Sequence, residues 1–494
     1  MERTWSPSRP RALAAWALLV PALALLAWAP LVALALAGLL ACAWASLRRP
    51  ALATCAALFL LYSNLPAVGV SHHGLPAAAA ASFGVLLLPP LAHELLVHRR
   101  LLVLTPGFLL LLPFLGVQIV SAAGARDPAR AFEAVTTFAL EGLALYFLVT
   151  NVVRTPETLR AVLCALVAAG VLMSAVPILQ QATGTFERDF GGLGQVDGPG
   201  FRTTDEDGAG AARQARLAGT VGETNRYAQV LLVLVPLGLA LLLGARTPGA
   251  RALAGGATAV ITLGFLLAFS RGGAVGLVCL GLAMVALRWI TPRRALLMLA
   301  GLGLLALCVP QYGRRLATLG ESLQVLDREA GRTADGAVRR RATEVLAALR
   351  VFVDHPWVGV GPGLFKQYSE EYGNRDALRR IEGGRRAHSL FPEIAAETGA
   401  LGLAAFLAAL TATLAQLLRA RRALLARAPG HPFADLLTAC FLALVAYLTT
   451  GLFLHLAYMR YFWLLLALGG AAAAMAARVP GPRAVPSLAA GGAA

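Results

Sequence analysis

One histidine and a few arginines are the residues of this chain whose types and surroundings could do chemistry. His388 stands in Ala387-His388-Ser389-Leu390-Phe391-Pro392-Glu393, at the entry to an apolar block. Ser389 can cap a helix starting there, and Pro392 fits its first turn. The positive end of that helix disfavours imidazolium, which predicts a neutral ring able to accept a proton. Such a base activates a sugar hydroxyl; an interfacial histidine that only caps the helix fits the same residues equally well. Arg271, in Ser270-Arg271-Gly272-Gly273, lies between two apolar blocks. A charge there is costly unless it is paired or turned to a polar cavity. Its planar guanidinium matches phosphate oxygens, and the two glycines allow close backbone approach; the alternative is a snorkelling arginine. Arg216 has the same capability in a loop, where it also reads as a solvated charge.

Other polar residues within the apolar blocks carry less. Glu397, two turns beyond His388, can orient a partner arginine or an acceptor, or form half of a buried ion pair. Arg460, at the outer start of the last block, can complete a phosphate site or anchor the interface beside Tyr458, Tyr461 and Trp463. His72-His73 lacks further ligand spacing, so no metal site is expected. The six cysteines lie in or at the ends of apolar blocks without a CxxC pair, and read as small packing residues.

The elements that must position these residues are membrane helices. Of 494 residues 58% are hydrophobic and only 14% charged, too apolar for a soluble domain. The fold class expected is all-α: a polytopic integral membrane protein with about 12–14 transmembrane helices and a helical periplasmic cap. Spans are placed near 12–28, 31–47, 51–69, 76–97, 101–122, 132–152, 159–180, 225–244, 252–270, 272–289, 295–310, 392–417, 434–454 and 459–477. The net charge of +17 is almost all arginine, in short clusters between apolar blocks, which argues for the positive-inside rule rather than nucleic acid. With the N-terminus inside, the turns carrying Arg48-Arg49, Arg99-Arg100, Arg154, Arg246, Arg293-Arg294 and Arg419 through Arg427 are cytoplasmic. Two hydrophilic segments then fall outside. The resulting division is 1–181 N-terminal helices, 182–222 external loop, 223–310 central helices, 311–391 large periplasmic helical loop, 392–478 C-terminal helices and 479–494 cytoplasmic tail. Val338, Ala342, Val345, Leu349 and Phe352 predict an amphipathic helix over 337–353, stopped by His355-Pro356. A second helix is expected over 364–382.

Four strings resemble the bacterial O-antigen ligase and O-antigen polymerase family. His388-Ser389 followed by Gly399 and Gly402 matches that family's histidine motif. Asp354-His355-Pro356-Trp357-Val358-Gly359 is similar to the segment before it, and Ser270-Arg271-Gly272-Gly273 to its Ser-Arg-small-small element. Arg216-Leu217-Ala218-Gly219-Thr220 with Asn225 and Ala228 resembles a fourth element, in which Thr224 replaces the usual proline. The strings cover roughly 210–470. The resemblance implies a glycosyltransferase that moves a glycan from undecaprenyl diphosphate to an acceptor hydroxyl. It implies His388 as base or acceptor-positioning group, and arginines on the donor diphosphate: Arg271, Arg216 and, from the run Arg339-Arg340-Arg341, Arg341. Glu397, Arg460, Asn225 and Ser270 are the expected supporting residues.

The chain has no P-loop, dinucleotide fingerprint or DxD-like pair. A lipid-linked donor, with no cofactor and no metal, is therefore expected. So are inversion at the anomeric carbon and a site on the periplasmic face of the inner membrane. Expected partners are the undecaprenyl diphosphate-linked glycan, a lipid A-core or other glycan acceptor and the bilayer, with no nucleic acid. A polysaccharide polymerase or a protein O-oligosaccharyltransferase fits the same motifs. A transporter also needs buried charges, but no internal repeat or matched pair of broken helices favours one.

Overall fold

The computed structural model describes residues 48–77, 82–197, 201–203, 212–307, 336–375, 383–455 and 459–478. The expected spans at 12–28 and 31–47 lie outside these residues.

Apolar helices dominate, and the chain is an all-α polytopic membrane protein. The first pass is a bent pair, α1 (Pro50–Ser63) and α2 (Leu65–His73), turned by 54° at Asn64, whose φ is 62°. Then come α3 (Gly84–Val97), α4 (Pro106–Ala123), α5 (Pro128–Val152), α6 (Pro156–Thr183), α7 (Thr224–Leu243) and α8 (Pro248–Leu266). The shorter α9 (Arg271–Ala286) and α10 (Pro292–Leu307) follow. Beyond the cap lie α13 (Leu390–Arg427), α14 (Pro432–Gly451) and α15 (Met459–Ala476). Among the described residues seven helices are long and apolar enough to span, or eight counting the bent pair.

Several helices begin up to five residues away from where hydropathy alone puts them. Thr105-Pro106, Asp127-Pro128, Thr155-Pro156 and Thr247-Pro248 explain this. In each, the first side chain accepts a first-turn N–H and proline fills the first helical position, which sets the start independently of hydropathy.

Burial separates core helices from peripheral ones. The apolar windows of α7 and α14 are 83% and 72% buried, against 28% for α8. Leu253, Leu282 and Leu140 are each more than 60% exposed; on a membrane helix such residues meet lipid. Arginines at one end tie neighbouring turns, Arg160 donating to the Gly244 carbonyl and Arg421 to that of Leu287.

The other end carries the loop 184–223 and the cap. In the loop, β1 (Gln195–Val196) pairs antiparallel with β4 (Leu217–Gly219), and β2 (Phe201–Thr203) with β3 (Ala212–Gln214). The cap holds α11 (Gly336–Asp354) and α12 (Phe365–Gly373). The second cap helix is thus shorter than expected, and residues 376–382 of that expectation lie outside the described residues.

The inward face of α11 also differs from expectation. Thr343, Glu344, Ala347, Ala348 and Val351 are buried, while Leu349 is 43% exposed. The helix has a wide apolar arc, and it packs on α13 through its small residues, which permit closer approach than leucine.

A backbone clasp fixes the cap to α13. Gly399 interrupts α13 with φ 64° and ψ −168°. Into this break docks the turn after α11. Ala400 and Leu401 N–H donate to the Pro356 and Trp357 carbonyls, while Val360 and Gly361 N–H donate to those of Ala396 and Glu397. A Cβ on Gly399 would run into the Trp357 carbonyl, and one on Gly359 (φ 73°) into the Glu397 backbone. The glycines shared by both motifs are therefore what lets two backbones touch.

Candidate active site

His388 sits one residue before the N-cap of α13. Ser389 occupies the cap position but makes no side-chain cap bond, a correction to its expected role. Glu393, one turn into the helix, does the anchoring. It accepts from Ala387 N–H at 3.1 Å and pairs with Arg386 Nη1 at 3.1 Å. His388 itself has φ 48°, a left-handed conformation uncommon for a side chain of this size and a mark of functional sites.

The expectation that the helix end keeps the ring neutral is also corrected. His388 Nδ1 lies 2.9 Å from Glu344 Oε2, a carboxylate from α11 that is 1% exposed, and 3.1 Å from the Arg386 carbonyl. Burial alone would push the imidazole pKa down. The hydrogen bond and charge of Glu344 and the Arg386 carbonyl act the other way, against Arg341 as well, and the net effect is upward. A buried carboxylate in contact outweighs a helix terminus, whose field falls off within one turn. The arrangement holds Nδ1 and leaves Nε2 as the nitrogen available for proton transfer. Beside it His455 meets the ring edge-on, centroids 5.4 Å apart. Burial and the charges of Arg226, Arg386 and His388 push its pKa down to about 2, so His455 is a neutral neighbour.

The arginines gather next to this pair. Burial, followed by the charges of Arg271 and Arg216, pushes the Arg341 guanidinium below its ordinary range; the attractions of Glu344 and Glu223 are each weaker. Arg216 is pushed down by burial and by Arg271, against the attraction of Asp197 and Glu223. Three guanidiniums thus repel one another, and one of them, Arg341, also acts on His388. Arg271 adds a second conflict, because it opens α9, where the helix dipole opposes a cation. Both conflicts are relieved by an anion, which helix N-termini and arginines bind.

The supporting residues hold these groups in place. Asn225 Oδ1 accepts from Ser270 Oγ at 3.0 Å and from Arg216 Nη2 at 3.3 Å, while Ser270 Oγ caps α9 by accepting from Gly273 N–H. Asp197 Oδ2 accepts from Thr224 Oγ1 at 2.8 Å and faces Arg216 at 3.8 Å. The glycines after Arg271 have another purpose than the one expected. A Cβ at Gly273 would stand 2.9 Å from Phe265, and one at Gly272 3.1 Å from Phe453, so both serve helix packing.

Two expected residues point elsewhere. Arg460 donates to Asn64 at the α1–α2 bend, and Asn64 in turn donates to the Thr220 carbonyl. Glu397 accepts from Phe365 N–H at 3.2 Å, anchoring the start of α12. It also lines a cavity of about 670 Å³ bounded by Gln118, Arg386 and Trp463.

Sequence reading missed Glu344, Glu393, Asp197 and the fully buried Arg226, which donates to Gln229 Oε1 at 2.6 Å and to the His455 carbonyl. At the far end of the bundle His93, Glu94 and His98 bring ligand-type atoms within 4.8 Å of one another, with Glu94 paired to Arg100 at 2.9 Å.

Residues 217–407 match the model of the O-antigen ligase family. That stretch contains Arg271, Arg341, Glu344 and His388; Arg216 precedes it by one residue, and Arg460 lies outside it. No curated protein matches the chain. The part of the chain from the central helices through the cap into α13 is thus similar to the O-antigen ligase family, within a helical membrane architecture.

Proposed function

We propose that this protein transfers a glycan from undecaprenyl diphosphate to an acceptor hydroxyl, with lipid A-core as the acceptor, at the periplasmic face of a bacterial inner membrane. The observation that carries this reading is a carboxylate-held histidine, His388 on Glu344, beside Arg341, which is one of three mutually repelling arginines.

The chemistry is a single displacement. Arg216, Arg271 and Arg341 hold the donor diphosphate, and their charge stabilises it as it leaves. His388 Nε2 takes the proton of the acceptor hydroxyl as its oxygen bonds to the anomeric carbon. The bond from that carbon to the diphosphate oxygen breaks, with inversion. Glu344 keeps Nδ1 engaged and stabilises the imidazolium that forms. A guanidinium site suits a diphosphate leaving group because it donates along fixed directions and stays charged.

The test is transfer by the purified protein with undecaprenyl diphosphate-linked glycan and lipid A-core. The expected products are glycosylated core and free undecaprenyl diphosphate in equal amounts. Polymerised lipid-linked glycan would reassign the acceptor, and an intact donor alongside every acceptor would overturn the proposal.

A further inference from the structure

The cavity beside His388 is not explained by donor binding. It lies at the outer ends of α4, α5 and α13, beneath α12, and none of Arg216, Arg271 and Arg341 lines it. Its walls combine an aromatic floor, Phe138 and Trp463, with the charged groups Glu133, Lys366 and Arg386. Two residues that line it carry buried donors without a partner among the described residues: Gln118 Nε2, on a residue 4% exposed, and Trp463 Nε1, on a residue 0% exposed. Buried donors left unsatisfied cost about 1–3 kcal/mol each, so their presence on a cavity wall marks a place where a ligand supplies acceptors. Charges of both signs over aromatic rings suit a polyhydroxylated ligand rather than a simple anion or a lipid tail. Sugars offer apolar C–H faces to rings and hydroxyls to carboxylates, amides and guanidiniums.

Position decides which sugar. Arg386 and Glu393 line the cavity, and Arg386 also touches His388 through its carbonyl. The chain therefore passes from the cavity wall to the candidate base within two residues. In a displacement the incoming oxygen and the leaving diphosphate lie on opposite sides of the anomeric carbon. A ligand away from the arginine trio but at the base is the incoming one. We infer that this cavity is the acceptor subsite and binds the oligosaccharide that presents the attacking hydroxyl. This rests on the transferase reading above.

The experiment uses the full-length protein in detergent and three probes: undecaprenyl diphosphate without glycan, soluble core oligosaccharide from delipidated lipopolysaccharide, and the delipidated donor glycan. Binding is read by saturation-transfer NMR and titration for wild type, Gln118→Leu and Trp463→Phe. The second variant keeps an aromatic six-membered ring and loses the indole N–H with the five-membered ring that carries it. Wild type is expected to bind core oligosaccharide, and each variant to weaken it about three- to tenfold, with undecaprenyl diphosphate binding unchanged. Core oligosaccharide bound equally by all three proteins, or by none while undecaprenyl diphosphate still binds, overturns the subsite and leaves the transferase reading standing. Selective loss of donor-glycan binding overturns the acceptor assignment. Failure of wild type to bind undecaprenyl diphosphate at all strikes the transferase reading itself.

Discussion

Glu344→Gln separates the role of the carboxylate from that of the histidine it holds. The replacement keeps shape and hydrogen-bonding reach in a site where Glu344 is 1% exposed, so the helix packing of α11 is preserved. What it removes is the charge 2.9 Å from Nδ1. A hydrogen bond to a charged group contributes about 1.5–3 kcal/mol, and here it is felt most as the ring becomes imidazolium. The turnover number should fall about 10- to 150-fold, with donor affinity little changed. The pH profile should move as well. His388 is held above its ordinary pKa chiefly against burial and by Glu344. Base catalysis needs the unprotonated ring, so the wild-type rate climbs with pH along a limb set by that raised value. Without the carboxylate, only the Arg386 carbonyl opposes burial and Arg341, and the limb shifts toward acid. Stability follows the same linkage. A raised folded pKa stabilises fully below the unfolded value and is lost as pH rises through the folded one. The wild-type advantage in melting temperature over Glu344→Gln should therefore be largest below about pH 6.5 and shrink in alkali. Rates and melts across pH check both. A variant with the wild-type plateau and an unmoved limb would refute the argument.

Other perturbations probe the remaining parts. Arg271→Ala and Arg341→Ala should each weaken undecaprenyl diphosphate binding about 10- to 150-fold, measured by titration in detergent. Unchanged donor affinity would remove the trio from the site. Asn225→Ala should weaken donor binding less, because it acts by holding Arg216 and Ser270. Gly399→Ala should lower the melting temperature and reduce turnover together. It places a side chain at φ 64° and against the Trp357 carbonyl, at a cost of about 1–3 kcal/mol from backbone strain alone; an unperturbed melt would show that the clasp tolerates separation.

Much of this architecture was legible in the sequence, because membrane helices announce themselves by length and hydropathy. The order of the spans after residue 48, the helix at 336–354 and its stop at His355-Pro356 all follow from local pattern. The mutual repulsion of Arg216, Arg271 and Arg341 joins residues that separate motifs had singled out one by one. What escaped depends on faces and distances. The helical spacing of Val338, Ala342, Val345, Leu349 and Phe352 pointed to another face of that helix than the buried one, which carries Glu344, Ala347, Ala348 and Val351. Small residues win when the partner helix must come close, and hydropathy cannot rank that. The helix-end argument for His388 gave the wrong net direction, because it ignored a carboxylate 44 residues earlier in the chain. Gly272 and Gly273 are packing glycines, because the aromatic rings they meet, Phe453 after α14 and Phe265 on α8, lie outside α9.

The central claim is that His388 is the proton acceptor of a diphosphate displacement. The most direct measurement is single-turnover transfer by His388→Gln, the donor bound before acceptor is added. Glutamine is chosen because alanine would leave the buried Glu344 facing an empty space. The account predicts donor binding at wild-type strength and a rate lower by about 10²–10⁴. Transfer at the wild-type rate would contradict it.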